Sequence, residues 1–110
     1  MRAILPAAVA LASIVAAAPA FAHPCDSDAR DRATPLLLLQ YESPDVEVGI
    51  GDTVKQLPSL KALKGSGKFD VLEVWGYIYK AEYRMRFIYA QIPGSCVLMG
   101  QEIIEASDPY

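Results

Sequence analysis

Histidine is nearly absent from this chain: the 110 residues hold one, His23. That removes the side chain that titrates nearest neutrality from almost any catalytic arrangement. A general base would have to be a perturbed carboxylate, and Glu73, Glu82, Glu102 and Glu105 qualify by residue type alone. No Ser/His/Asp set, zinc cluster or phosphate loop can be assembled, and Gly65-Ser66-Gly67 lacks the lysine and spacing of a phosphate loop. The chain therefore reads as a non-enzyme that uses no cofactor. Basic residues are also short. Ten Lys and Arg stand against thirteen Asp and Glu, a net charge of -3, which argues against a basic face for nucleic acid or an anionic membrane. There are two cysteines and no Cys-x-x-Cys, so a thioredoxin-like redox motif is missing. Beyond residue 22 no apolar run is long enough to span a bilayer, and no internal repeat or low-complexity tract occurs.

What is present begins with "MRAILPAAVALASIVAAAPAFA". A short positive start at Arg2, an Ala/Leu/Ile/Val run and the small-x-small triplet Ala20-Phe21-Ala22 form the pattern of a secretory signal peptide over residues 1–22. Pro6 and Pro19 interrupt the run, which speaks against a membrane anchor. His23 and Pro24 separate Cys25 from Ala22, so the cysteine is not placed for a lipid anchor. Residues 23–110 are then a single exported domain with net charge -4 once Arg2 is lost. The compact leader is of bacterial type. The expected location is the periplasm, with secretion as the alternative, and the expected partner is another envelope or secreted protein, with no membrane insertion after cleavage. In an oxidising space Cys25 and Cys96 read as one disulfide.

Along the exported part, "HPCDSDARDRATP" is polar and reads as a surface segment pinned by Cys25, with a possible helical turn over Ser27 to Ala33. "LLLLQYE", Leu36 to Glu42, lies between Pro35 and Ser43-Pro44 and reads as a strand. "DVEVGIGD" alternates like a short half-buried strand. Asp52 can cap a turn of helix that Pro58 ends, and Ser59 a second short helix carrying Leu60 and Leu63 and closed by Gly65. "DVLEVWGYIY", "YRMRFIYAQI" and "CVLMGQEII" are three β-rich runs, joined tightly near Lys80-Ala81 and by a type II turn at Pro93-Gly94. The expected fold is a small α+β domain: a three-stranded antiparallel meander over about residues 70–105, covered by short helices and the N-terminal segment. A small β-barrel is the alternative. In outline this order resembles the small lipoproteins of bacterial outer-membrane assembly, in architecture alone: the lipid-bearing cysteine of that group is missing and no diagnostic motif matches.

Seventeen residues, Glu73 to Tyr89, hold the only Trp, four Tyr, one Phe and two Arg. Placing Tyr79 opposite Glu82 puts Leu72, Val74, Ile78, Tyr83, Met85, Phe87 and Tyr89 on one uncharged face. Glu73, Trp75, Tyr77, Tyr79, Glu82, Arg84, Arg86 and Ile88 take the other. A slip of one residue would set both arginines among aliphatic side chains, so the first arrangement is preferred. It pairs Trp75 with Arg86 and Tyr77 with Arg84 as cross-strand cation–π neighbours. Trp75, Tyr77, Tyr79, Arg84 and Arg86 thus form a candidate interaction strip, of the residue types that dominate protein contacts.

Two further readings stay open. The loops "QIPGSC" and "KGSGK" could insert into a hydrolase, as inhibitor or immunity-type proteins do. His23, if it becomes the first residue, could chelate copper through its amine and imidazole, and Met85 and Met99 are soft donors. A second histidine for a brace is lacking, and the methionines sit where core filler is usual. No metal site is therefore assigned. Glu102 would face the apolar side of a regular third strand; a bulge at Gly100 would turn it outward, and the bulge is preferred.

Overall fold

The computed structural model describes residues 23–41 and 45–107. The signal peptide expected over 1–22 lies outside them. Among the described residues, one helix, α1 (Asp26–Tyr41), is followed by five strands: β1 (Val48–Ile50), β2 (Lys55–Lys61), β3 (Lys68–Ile78), β4 (Ala81–Ala90) and β5 (Leu98–Glu105). All pairings are antiparallel, and the sheet is open rather than a barrel. β3 is central. β4 lies along one side of it, with β5 beyond. β1 and β2 share the other side, β1 beside Gly76–Ile78 and β2 beside Lys68–Glu73. Between β1 and β2, the N–H of Gly51 still donates to the Trp75 carbonyl at 2.8 Å. The antiparallel meander expected over residues 70–105 is present as β3–β5, extended to five strands by β1 and β2.

The segment Leu36 to Glu42 is not a strand: through Tyr41 it is the second half of α1. Ala29, Ala33, Leu36 and Leu37 recur at the spacing of one helical face, and that face is buried. Pro35 lies inside the helix on the exposed side. The backbone bond it cannot donate is therefore lost where water can reach the free carbonyl, which is why the helix runs through it. Asp26 and Asp28 occupy the first turn, where negative charge is favoured.

The short helices expected between Asp52 and Gly65 do not form either. That region contains β2, with Leu60 half-exposed and Leu63 fully exposed. The cover for the sheet is α1 alone among the described residues. Pro58 is accommodated because β2 is an outer strand whose pairing with β3 is irregular between Leu57 and Leu60. Gly65, at φ +81°, turns the chain from β2 towards β3.

The face predicted as core is the core: Leu72, Val74, Ile78, Tyr83, Met85, Phe87 and Tyr89 are each at most 5 % exposed and pack under α1. The cross-strand partners differ from the expected ones by two residues. Ile78 pairs with Ala81, so Tyr79-Lys80 is the two-residue loop. Tyr79 takes a positive φ of 53°, as the first central residue of a type II′ turn does. A shift of two preserves the faces and changes only who sits opposite whom. Gly76 lies on the core face, where an added Cβ would come within 2.7 Å of Met85 Cε and 2.8 Å of Leu37 Cδ2. The helix approaches the sheet closely at that point because no side chain intervenes.

The Cys25–Cys96 disulfide is present, with Cα atoms 5.6 Å apart and a sequence separation of 71. It ties the start of α1 to the loop before β5. In the chain-entropy model, closing such a loop stabilises the fold by roughly 4 kcal/mol. The loop contains the expected Pro93-Gly94 turn: Gly94 has φ +78° and the Ser95 N–H donates to the Ile92 carbonyl at 3.2 Å.

Candidate functional site

The sheet face turned away from α1 is arranged in rows across the strands. One row is charged: Lys55, Glu73, Arg86 and Glu102 are successive register partners on β2, β3, β4 and β5, and their signs alternate. On one side lies an apolar row of Leu57, Val71 and Ile88, ending at Gly100. On the other side, Trp75, Arg84 and Ile104 are partners, and beyond them Gly49, Tyr77 and Glu82.

Glu73 organises the centre. It is 7 % exposed, an unusual burial for a carboxylate. Arg86 Nε donates to its Oε2 at 3.0 Å, and Trp75 Nε1 donates to its Oε1 at 3.2 Å. Arg86 also reaches Glu102 Oε1 through Nη1 at 3.6 Å. Arg84 Nε lies 4.0 Å from Glu73 Oε2 and is buried with no hydrogen-bond partner among the described residues. The pairing of Trp75 with Arg86 and of Tyr77 with Arg84 is therefore corrected: Trp75 faces Arg84, Tyr77 faces Glu82, and the Arg86 guanidinium binds a carboxylate instead of covering the indole. The two-residue shift at the hairpin is the cause.

Four of the five strip residues, Trp75, Tyr77, Arg84 and Arg86, share this outer face. Tyr79 stands apart in the hairpin turn, 79 % exposed, with its ring centroid 6.3 Å from that of Tyr41 at the end of α1. The N-terminal helix lies on the opposite face, and none of the described residues covers the strip. Glu102 points outward, as expected from a bulge: Ile88 pairs with Gly100 and Tyr89 with Leu98, so Met99 is the extra residue. A groove of about 470 Å³ opens beside Arg86, walled by Leu57, Pro58, Leu60, Val71 and Ile88. Sequence reasoning missed this groove because it assigned Leu57 and Leu60 to helical turns. Register places Lys55 and Leu57 on the outer face and the exposed Gln56 on the other, but no apolar alternation marks this strand in the sequence, and Pro58 argues against one.

His23 is engaged within the fold. Its Nδ1 accepts the Cys25 N–H at 3.0 Å, so Nε2 carries the proton and donates to Asp70 Oδ2 at 2.8 Å. Gln91 donates to the other Asp70 oxygen at 2.8 Å. These bonds, His23 first, hold the Asp70 carboxyl below the usual range. Met85 is buried in the core and Met99 sits exposed at the bulge. Among the described residues no group of three or more His, Cys, Asp or Glu side chains is placed to hold a metal. "QIPGSC" lines a cavity of about 440 Å³ together with His23 and Asp70, and "KGSGK" is the exposed turn between β2 and β3. No helix among the described residues is long and apolar enough to cross a membrane.

Compared with known proteins, the chain matches no family model, no curated protein and no solved structure.

Proposed function

We propose that this chain is a non-enzymatic protein-binding module of the bacterial periplasm, which docks another envelope protein on the outer face of its sheet through Trp75, Tyr77, Arg84 and Arg86. The observation that carries this reading is the buried Glu73 carboxylate gripping both Trp75 and Arg86. Two large side chains of the kind that dominate interfaces are held in fixed positions, so little rotamer freedom is lost when a partner arrives. The neighbouring groove supplies an apolar slot, and the partly exposed guanidinium groups of Arg84 and Arg86 supply positive charge beside it. The fitting partner surface carries a bulky apolar side chain flanked by an acidic one.

The test is affinity capture from native envelope extract with residues 23–110, beside the Trp75→Ala/Arg86→Ala variant. The partner recovered by the wild type should be lost at least tenfold in the variant while the thermal melt stays cooperative. Equal recovery from a folded variant overturns the reading.

A second reading rests on the 91–96 loop. Ile92 is half-exposed next to a turn that the Cys25–Cys96 disulfide tethers, a rigid projection of the sort that enters hydrolase clefts. Inhibition of a muramidase or peptidase that Ile92→Asp abolishes would favour it over docking on the sheet.

A further inference from the structure

The first turn of α1 holds a carboxylate that its neighbours satisfy only by half. Asp26 is 2 % exposed. Its Oδ2 accepts the backbone N–H of His23 at 3.1 Å, while its Oδ1 is buried with no hydrogen-bond partner among the described residues. Buried carboxylate oxygens nearly always have a donor or a cation beside them, because leaving one bare forfeits its hydration. The donor already in place is the backbone nitrogen of the residue that follows Ala20-Phe21-Ala22.

We propose that Asp26 is the acceptor for the α-ammonium group released when the Ala22–His23 peptide bond is cleaved, so that removal of the leader completes the N-terminal end of the helix. In that hydrolysis the C–N bond breaks, the hydroxyl of water joins the Ala22 carbonyl carbon, and the His23 nitrogen gains a hydrogen and then a proton from solvent. One amide N–H becomes three N–H donors and a positive charge, next to a carboxylate with an oxygen to spare. An α-amine carries its proton at neutral pH. The site is built in advance: His23 is held through both ring nitrogens, by Cys25 N–H and Asp70, and Cys25 is fixed by its disulfide. Little freedom is lost in forming the ion pair, and its low exposure limits screening by salt. This inference rests on the export reading and is independent of the docking face.

The test compares residues 23–110, starting with a free His23 amine, with the same domain extended by Phe21-Ala22, each with Asp26 and with Asp26→Ser. Serine keeps an oxygen for the helix start and removes the charge. The 23–110 form is expected to melt about 4–8 °C higher than the extended form, and Asp26→Ser to abolish that gap. Equal melting points, or a gap that survives Asp26→Ser, overturn the ion pair. Should the serine variants not fold, acylation of the His23 amine in the unaltered domain decides: roughly tenfold slower reaction than in a free His-Pro-Cys peptide supports the pair, and equal rates overturn it. N-terminal sequencing of the natively exported protein tests the export reading separately. A start at His23 supports the processing step, and any other start overturns it even where the purified domain shows the gap.

Discussion

Tyr89 and Asp28, 61 residues apart in sequence, meet at the boundary between sheet and helix: the Tyr89 hydroxyl donates to Asp28 Oδ2 at 2.7 Å. Arg32 Nε donates to the same oxygen, also at 2.7 Å, one helical turn further on. The bond links a fully buried β4 side chain to the solvent-facing edge of α1. Tyr89→Phe keeps the ring in the core and removes the donor. It should lower stability by about 1.5–3 kcal/mol, the range for a hydrogen bond to a charged group. Urea denaturation should show a lower midpoint with an unchanged slope.

The same groups set the pH range of stability. Burial alone would raise the Asp28 carboxyl, but the bonds from Arg32 and Tyr89 outweigh it and hold it below its ordinary value. Asp70 is lowered as well, by His23 and Gln91. Carboxyls lowered in the fold add stability that is present above about pH 4 and is lost as the pH falls through their folded values. Burial, with Asp28 next, pushes the Tyr89 phenol far up; burial, with Glu105 next, raises Tyr83. Groups raised in the fold add stability that is complete below about pH 10 and is lost as the pH climbs towards their folded values. In the domain extended by Phe21-Ala22, where no His23 amine meets Asp26, urea midpoints should therefore be flat from about pH 5 to 9 and fall on both sides. Asp28→Asn should make the acid limb shallower, and an unaltered limb in that variant would contradict the assignment.

Glu73 should matter more to this fold than either of the residues it holds. Glu73→Ala leaves the Trp75 indole N–H and the Arg86 guanidinium without their shared acceptor and sets Arg84 and Arg86 side by side. A loss of about 1.5–3 kcal/mol is expected, against less than that for Arg86→Ala, whose side chain is one-third exposed. Tryptophan fluorescence should also shift and broaden in Glu73→Ala, since the indole loses its anchor. An unchanged spectrum would show that Trp75 is positioned by packing alone.

Gly76 is where helix and sheet come closest. Gly76→Ala forces Met85 Cε and Leu37 Cδ2 aside, both flexible ends, and should cost about 1–3 kcal/mol. Gly76→Val should cost more. Pairing Gly76→Ala with Leu37→Ala frees part of that space, so the double variant should be more stable than the sum of the single effects predicts. Strict additivity in thermal melts would place the strain elsewhere.

Several features were legible in the chain because they depend on local pattern. The alternation of Leu72, Val74 and Ile78, and of Tyr83, Met85, Phe87 and Tyr89, allowed a single assignment of the buried face, since charge at Arg84 and Arg86 had to be kept from it. The turn at Pro93-Gly94 and the Cys25–Cys96 bridge likewise follow from residue type and spacing, whereas Glu102 faces outward only because of the bulge at Met99. Tertiary structure decided the rest. Pro35 suggested a boundary, yet the gain from seating Ala29, Ala33, Leu36 and Leu37 on the sheet outweighed one missing hydrogen bond on the wet side of the helix. Lys55–Lys61 is a strand because β3 offered it an open edge, which no window of that segment reveals. The partner of each charge depended on a single turn: positive φ at Tyr79 moved every β3–β4 pair by two and delivered Arg86 to Glu73 instead of to Trp75. Periodicity determines which way a side chain faces, but its neighbour across the sheet is set by closure of the chain in three dimensions.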